Sequence, residues 1–198
     1  MIKRTLIWNT KGGVGKTALA VHIARIAGAF VIANESHSDL PHLLGEDQCL
    51  ALRHDQPLPN IPPEVPLVYD FGGFAEPRVI QAALDAHYVI VPVCLETLES
   101  MQELQGAMGT IRAIEPHNKN IIIVNTKSKP GHMAKVMEVF KEARVKYPIL
   151  DVKYSTVFSK SITMNKSIDE IIEEMPLQKR NFSIPNLQLK TLIRRISQ

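Results

Sequence analysis

The chain is short of the residues that build crosslinks and clusters. It has 198 residues but only two cysteines, Cys49 and Cys94, far apart and without the C-x-x-C spacing of a metal or redox site. Cys94 falls in an apolar stretch and reads as a core residue. This usage fits a reducing compartment, so a cytoplasmic location is the expectation. No apolar run is long enough to span a bilayer. The first residues already read as a strand, not as a secretory leader. Carboxylates are missing from one end: after Glu174 the chain carries Lys179, Arg180, Lys190, Arg194 and Arg195 and no acidic side chain. The formal net charge is only +3, so the distribution says more than the sum. A basic end suits a polyanionic partner, either nucleic acid or an anionic membrane surface; it is equally the pattern of a solvated helix face.

What is present points to one domain over residues 1–198, with 45% hydrophobic residues available for a core. Short apolar runs at 5–9, 30–33, 67–70, 88–93, 120–125 and 149–152 alternate with helical patterns at 18–27, 76–86, 97–114 and 130–145. That alternation predicts an α/β fold, a doubly wound and mostly parallel sheet with helices on both faces. Between 35 and 66, prolines at 57, 59, 62, 63 and 66 exclude a central strand and leave an irregular region with a short helix near 40–44. Pro92 sits near the end of its strand, where the ladder is expected to stop.

Between the first strand and the first helix stands Lys11-Gly12-Gly13-Val14-Gly15-Lys16-Thr17, followed by Ala18. Strand, glycine-rich turn and helix is the setting of a phosphate-binding loop. The glycines bring backbone N–H groups close to a polyphosphate, and the helix adds its positive end. Lys16 would reach the β- and γ-phosphates, and the Thr17 hydroxyl would hold Mg²⁺. The general pattern G-x-x-x-x-G-K-[ST] is not met in full, because its first glycine falls on Thr10 and a second lysine, Lys11, stands beside it. Asp70 ends its strand, where a carboxylate binds Mg²⁺ through water or caps the following turn. Gly72 and Gly73 follow, offering a backbone amide to the γ-phosphate and a hinge that senses it.

With its second lysine, the loop resembles the deviant Walker A loop of the ParA/MinD family of dimerising P-loop ATPases. The likeness extends to the strand ending in Ile90-Val91-Pro92-Val93, to the helix after it, and to the region from Tyr154 to Glu170. The chain is closest in size and pattern to short plasmid-type, ParF-like partition proteins. The resemblance implies ATP and Mg²⁺ as cofactors and an ATP-dependent homodimer in which Lys11 crosses to the partner's nucleotide. Lys11, Lys16 and Asp70 would be catalytic. It also implies an Asn at the strand end, here Asn125, that hydrogen-bonds adenine; Asn equally favours a strand-end turn. The function implied is DNA partition, with nonspecific DNA binding on the nucleoid in the ATP state and a centromere-binding adaptor that stimulates hydrolysis. A MinD-like positioning ATPase on a membrane and an accessory ATPase of conjugative DNA transfer are the alternatives.

One departure bears on mechanism. The family's D-x-D pair falls here on Asn34 and Ser36, neither of which is a carboxylate. Glu35 is one residue off, and Asp39 reaches back only if its loop folds inward. Nucleotide binding is therefore expected to persist and hydrolysis to be slow, with Glu35 or Asp39 as substitutes. At the C-terminal end a basic helix is expected near 186–197, with Asn186 as its N-cap. Leu189, Leu192, Ile193 and Ile196 share one face of it, which either packs on the sheet or lies on anionic lipid.

Overall fold

Buried parallel strands need apolar residues on both faces, which is why they appear in sequence as unbroken runs. A computed structural model shows where those runs go. It describes residues 1–34, 39–73, 76–94, 101–128, 131–153 and 155–198, without the side chains of 101–103 and 132. The strands are β1 Thr5–Trp8, β2 Phe30–Ala33, β3 Cys49–Ala51, β4 Leu67–Phe71, β5 Tyr88–Val93, β6 Ile121–Ser128 and β7 Ile149–Lys153. They form one seven-stranded sheet in the order β3-β2-β4-β1-β5-β6-β7, and every pairing is parallel.

The helices are α1 Lys16–Ala27, α2 Leu40–Leu44, α3 Pro77–Asp85, α4 Met101–Ile114, α5 His132–Glu142, α6 Thr156–Met164, α7 Ile168–Glu174 and α8 Lys179–Arg195. Side chains alternate across the sheet with period two. Ile7, Val31, Val68, Ile90 and Ile122 pack with α1, α2, α6, α7 and α8 on one face. Leu6, Ile32, Tyr69, Val89 and Ile123 pack with α3, α4 and α5 on the other. Helices thus cover both faces, as the alternation predicts.

Three expectations are corrected. The stretch between β2 and β4 contains a strand, β3, that three residues are too few to announce. It pairs only with β2, at the sheet edge, so the exclusion of a central strand there stands. Pro92 does not end its ladder: β5 is central and pairs with β6 through Val93. Its pairing with β1 stops at Ile90, so no donor is needed on that side.

The third correction concerns α8, which begins at Lys179, so Asn186 is not its cap. Pro185 lies inside the helix, and the carbonyl it leaves over is that of exposed Asn181. Asn186 is buried and donates from Nδ2 to Asp169 at 2.8 Å. Leu189, Leu192 and Ile196 are fully buried, and burying each is worth about 1.5–3 kcal/mol. The carbonyl of Ile196 accepts from the Lys3 amide at 3.0 Å, tying this end of the chain to its beginning. The start of the helix expected at 97 lies outside the described residues, as do Glu35 and Ser36.

Candidate functional site

The chain leaves β1 in one direction toward β4 and β2 and in the other toward β5, so the order reverses beside β1. A crevice opens at such a point above the C-terminal strand ends, where α/β proteins hold their ligands. The Lys11–Thr17 loop occupies it. Gly13 and Gly15 adopt φ of +73° and +84°, a region where a side chain is strained. Gly15 is the left-handed N-cap of α1, and among the described residues no side chain caps that helix. Its first-turn amides therefore form a cradle suited to an anion. Val14 is buried and anchors the loop, while Lys11, Gly12, Gly13 and Thr17 are exposed. Lys16 folds back so that Nζ donates to the Lys11 carbonyl at 2.9 Å.

Neighbours that no motif marks hold the loop from both sides. Asn9 is buried at the end of β1; its Oδ1 accepts from the Lys11 amide at 2.9 Å and its Nδ2 donates to the Pro92 carbonyl at 2.7 Å. Thr110 of α4 accepts from the Thr10 amide at 3.2 Å. On the other side the Thr126 hydroxyl lies 2.8 Å from the Val14 carbonyl and 3.0 Å from that of Val93. Lys127 donates from Nζ to the Gly13 carbonyl at 3.0 Å. Only the tertiary contact identifies these four, since a lone Asn, Thr or Lys carries no sequence signal.

The structure brings Asp70 and Gly72 to the same crevice. Asp70 is buried at the C-terminal end of β4, in register with Ile7 of β1. The Trp8 indole donates to the Gly72 carbonyl at 3.0 Å. Gly73 lies so close to the loop that a Cβ there would stand 2.5 Å from the Thr10 carbonyl oxygen. Asn34 is buried, and its Oδ1 accepts from the Gly72 amide at 2.5 Å. Exposed Asp39 sits at the start of α2.

Asn125 is placed differently from expectation. It does not end its strand, because β6 runs on to Ser128. It is buried and donates from Nδ2 to Asp151 of β7 at 2.9 Å. Thr126 and Lys127, the next two residues, are the ones that touch the loop.

Beside the loop a cavity of about 150 Å³ is lined by Gly15, Ala18, His22, Thr126, Lys127 and Phe158, among others. The His22 ring stands 5.1 Å from that of Phe158, and its Nε2 is buried without a hydrogen-bond partner among the described residues. Burial, and then the charge of Arg25, lower its pKa to about 4 against a hydrogen bond with the Phe158 backbone. His22 is thus neutral at pH 7.

No family-level sequence profile matches the chain, and no curated protein matches it in sequence. Solved structures do match. The fold is similar to an ATP complex of a McdA variant from Cyanothece, with a TM-score of 0.62, 12% identity and 96% of each chain covered. It is similar to the MinD cell division protein of Aquifex aeolicus, with a TM-score of 0.56 and 15% identity over 96% of this chain and 95% of that one. A plasmid partition protein from Borrelia burgdorferi matches with a TM-score of 0.56 and 11% identity over 98% of this chain and 100% of that one. The chain thus has the P-loop fold of the ParA/MinD ATPases, with an all-parallel seven-stranded sheet.

Proposed function

We propose that the chain is an ATP-dependent dimerising switch that acts in DNA partition. One observation carries this reading: a single glycine loop at the reversal point of the sheet bears two lysines, Lys16 folded onto the carbonyl of Lys11 and Lys11 exposed. The donor set fits a nucleoside triphosphate with Mg²⁺. The amides of Gly12 to Ala18 cradle the phosphates, and Lys16 meets the outer ones. Thr17 would offer its hydroxyl to the metal, and Asp70 would hold the ion through water. When bound, Mg²⁺ neutralises charge on the phosphates. The Cyanothece McdA variant is seen with ATP, which supports the choice of nucleotide. Asn125 would offer an adenine edge its Oδ1 and the second N–H of its amide.

Lys11 on the outer side of the loop is placed to reach a second copy's nucleotide, so ATP favours the dimer. Hydrolysis to ADP and phosphate is slow, because neither Asn34 nor Ser36 can act as a base, or it relies on Glu35 or Asp39 instead. A centromere-binding adaptor then resets the cycle. Lys179, Arg180, Arg194 and Arg195 are exposed, and doubling them in a dimer strengthens nonspecific DNA binding through counterion release. Lys190 contributes less, being paired with Asp169 at 2.8 Å. A membrane reading based on the stripe of Leu189, Leu192, Ile193 and Ile196 loses its support, since Leu189, Leu192 and Ile196 are inside the core and partly buried Ile193 packs against it. Among the described residues no helix is long and apolar enough to cross a membrane.

Light scattering with Mg²⁺ plus ADP, ATP or a nonhydrolysable ATP analogue tests the switch. Dimers form only with the triphosphates, and Lys11→Ala binds nucleotide without dimerising. Nucleotide binding with no change in mass under any condition would overturn the dimerising switch.

A further inference from the structure

Behind the loop lies a buried polar cluster drawn from three segments. Asn34, just past β2, is 3% exposed. Its Nδ2 donates to Glu76 Oε1 at 2.6 Å, while its Oδ1 accepts from the Gly72 amide at 2.5 Å. Glu76 Oε2 in turn accepts from Arg78, from Nε at 3.0 Å and from Nη2 at 2.7 Å. Arg78 Nη1 donates to the carbonyls of Arg53 and Gln56 at 2.8 and 3.1 Å. The side chains of Glu76 and Arg78 are 6% and 7% exposed.

The chemistry of the neighbours sets the orientation of the Asn34 amide. Gly72 N–H only donates and an ionised Glu76 only accepts, so the oxygen must face Gly72 and the NH₂ must face Glu76. An aspartate at position 34 has no N–H to give, and would set a second carboxylate against Glu76. The amide at 34 is therefore matched to this cluster, which accounts physically for an amide in place of a carboxylate at that position. Gly72 itself is pinned between the Trp8 indole and the contact of Gly73 with Thr10, at the edge of the phosphate loop.

We infer that Asn34 is a specificity-determining residue that sets the choice between diphosphate and triphosphate. This rests on the nucleotide-switch reading above. On that reading the Gly72 amide is the donor offered to a γ-phosphate, and here Asn34 Oδ1 holds it. A triphosphate must displace that oxygen; a diphosphate leaves it in place. Glu76, oriented by Arg78, acts through Asn34 as a positioning residue. Affinity for the triphosphate is thereby held down relative to the diphosphate until displacement occurs, so Gly72 reports the γ-phosphate by exchanging one acceptor for another.

The test is titration of the full-length chain with Mg-ADP and with a nonhydrolysable Mg-ATP analogue, in wild type and in Asn34→Ala. The expected result is a rise of about three- to tenfold in the ratio of triphosphate to diphosphate affinity, the range for one exchanged neutral hydrogen bond. A parallel measurement needs no variant: in wild type the Gly72 amide resonance moves with the triphosphate and keeps its position with ADP. A ratio unchanged in a folded Asn34→Ala, or a Gly72 resonance identical in the two complexes, overturns the role of Asn34 and leaves the nucleotide switch standing. Failure of wild type to bind either nucleotide overturns both.

Discussion

The phosphate loop and the polar cluster behind it meet where Gly73 lies against Thr10, yet they are built on opposite plans. The loop is seven consecutive residues, of which Lys11, Gly12, Gly13 and Thr17 are exposed. The cluster takes Asn34, Gly72, Glu76 and Arg78 from three segments and buries them with the hydrogen bonds described. Backbone that awaits a ligand can stay open to water and be specified locally. Polar groups removed from water must find partners inside the protein, so their identities are set by one another. The first plan makes function vulnerable and stability robust; the second does the reverse.

Arg78→Ala draws the contrast most sharply. It leaves Glu76 buried and unpaired, so unfolding by denaturant should show a loss of about 3–5 kcal/mol; a loss below about 1 kcal/mol would break the comparison. His22, beneath the loop on α1, follows the same rule through pH. Its pKa is about 4 when folded against the ordinary 6.5, so the unfolded chain binds the proton more readily. Its contribution is full above pH 6.5 and fades as pH falls toward 4, by at most about 3 kcal/mol. Urea melts at pH 7, 5.5 and 4.5 should show that slope, and His22→Phe should flatten it.

Lys16→Ala tests the other half. Triphosphate affinity should drop about 100-fold, as for loss of a strong charge-assisted contact, while the denaturation midpoint barely moves. The smallest effect is expected at Lys190→Ala. Its partner Asp169 lies at 2.8 Å, but both side chains are substantially exposed, so less than about 1 kcal/mol of stability should be lost. A cost there equal to that of Arg78→Ala would show that burial is not what separates the two ion pairs.

Legibility in sequence followed the same division. The strands at 30–33 and 88–93 were readable because buried parallel strands are continuous apolar runs, and they appear with those bounds. The loop was readable because its work is done by contiguous residues. Strand β3 was not, since its three residues form an edge strand by pairing with β2 alone. The start of α8 was misplaced because a proline inside a helix reads as a boundary; burial of Phe182, Leu189 and Leu192 holds the helix across it. Glu76 and Arg78 fall at the opening of the helical pattern at 76–86, and nothing local shows that both side chains are buried.

The order of residues alone determined the alternating α/β plan, the phosphate loop and its second lysine, because each depends on neighbours within a few positions. Tertiary structure decided which face of α8 enters the core, that Thr126 and Lys127 touch the loop while Asn125 turns to Asp151, and that Asn34 holds the Gly72 amide. Those outcomes depend on which distant groups share a space without water, and there each donor must find the acceptor that the fold brings to it.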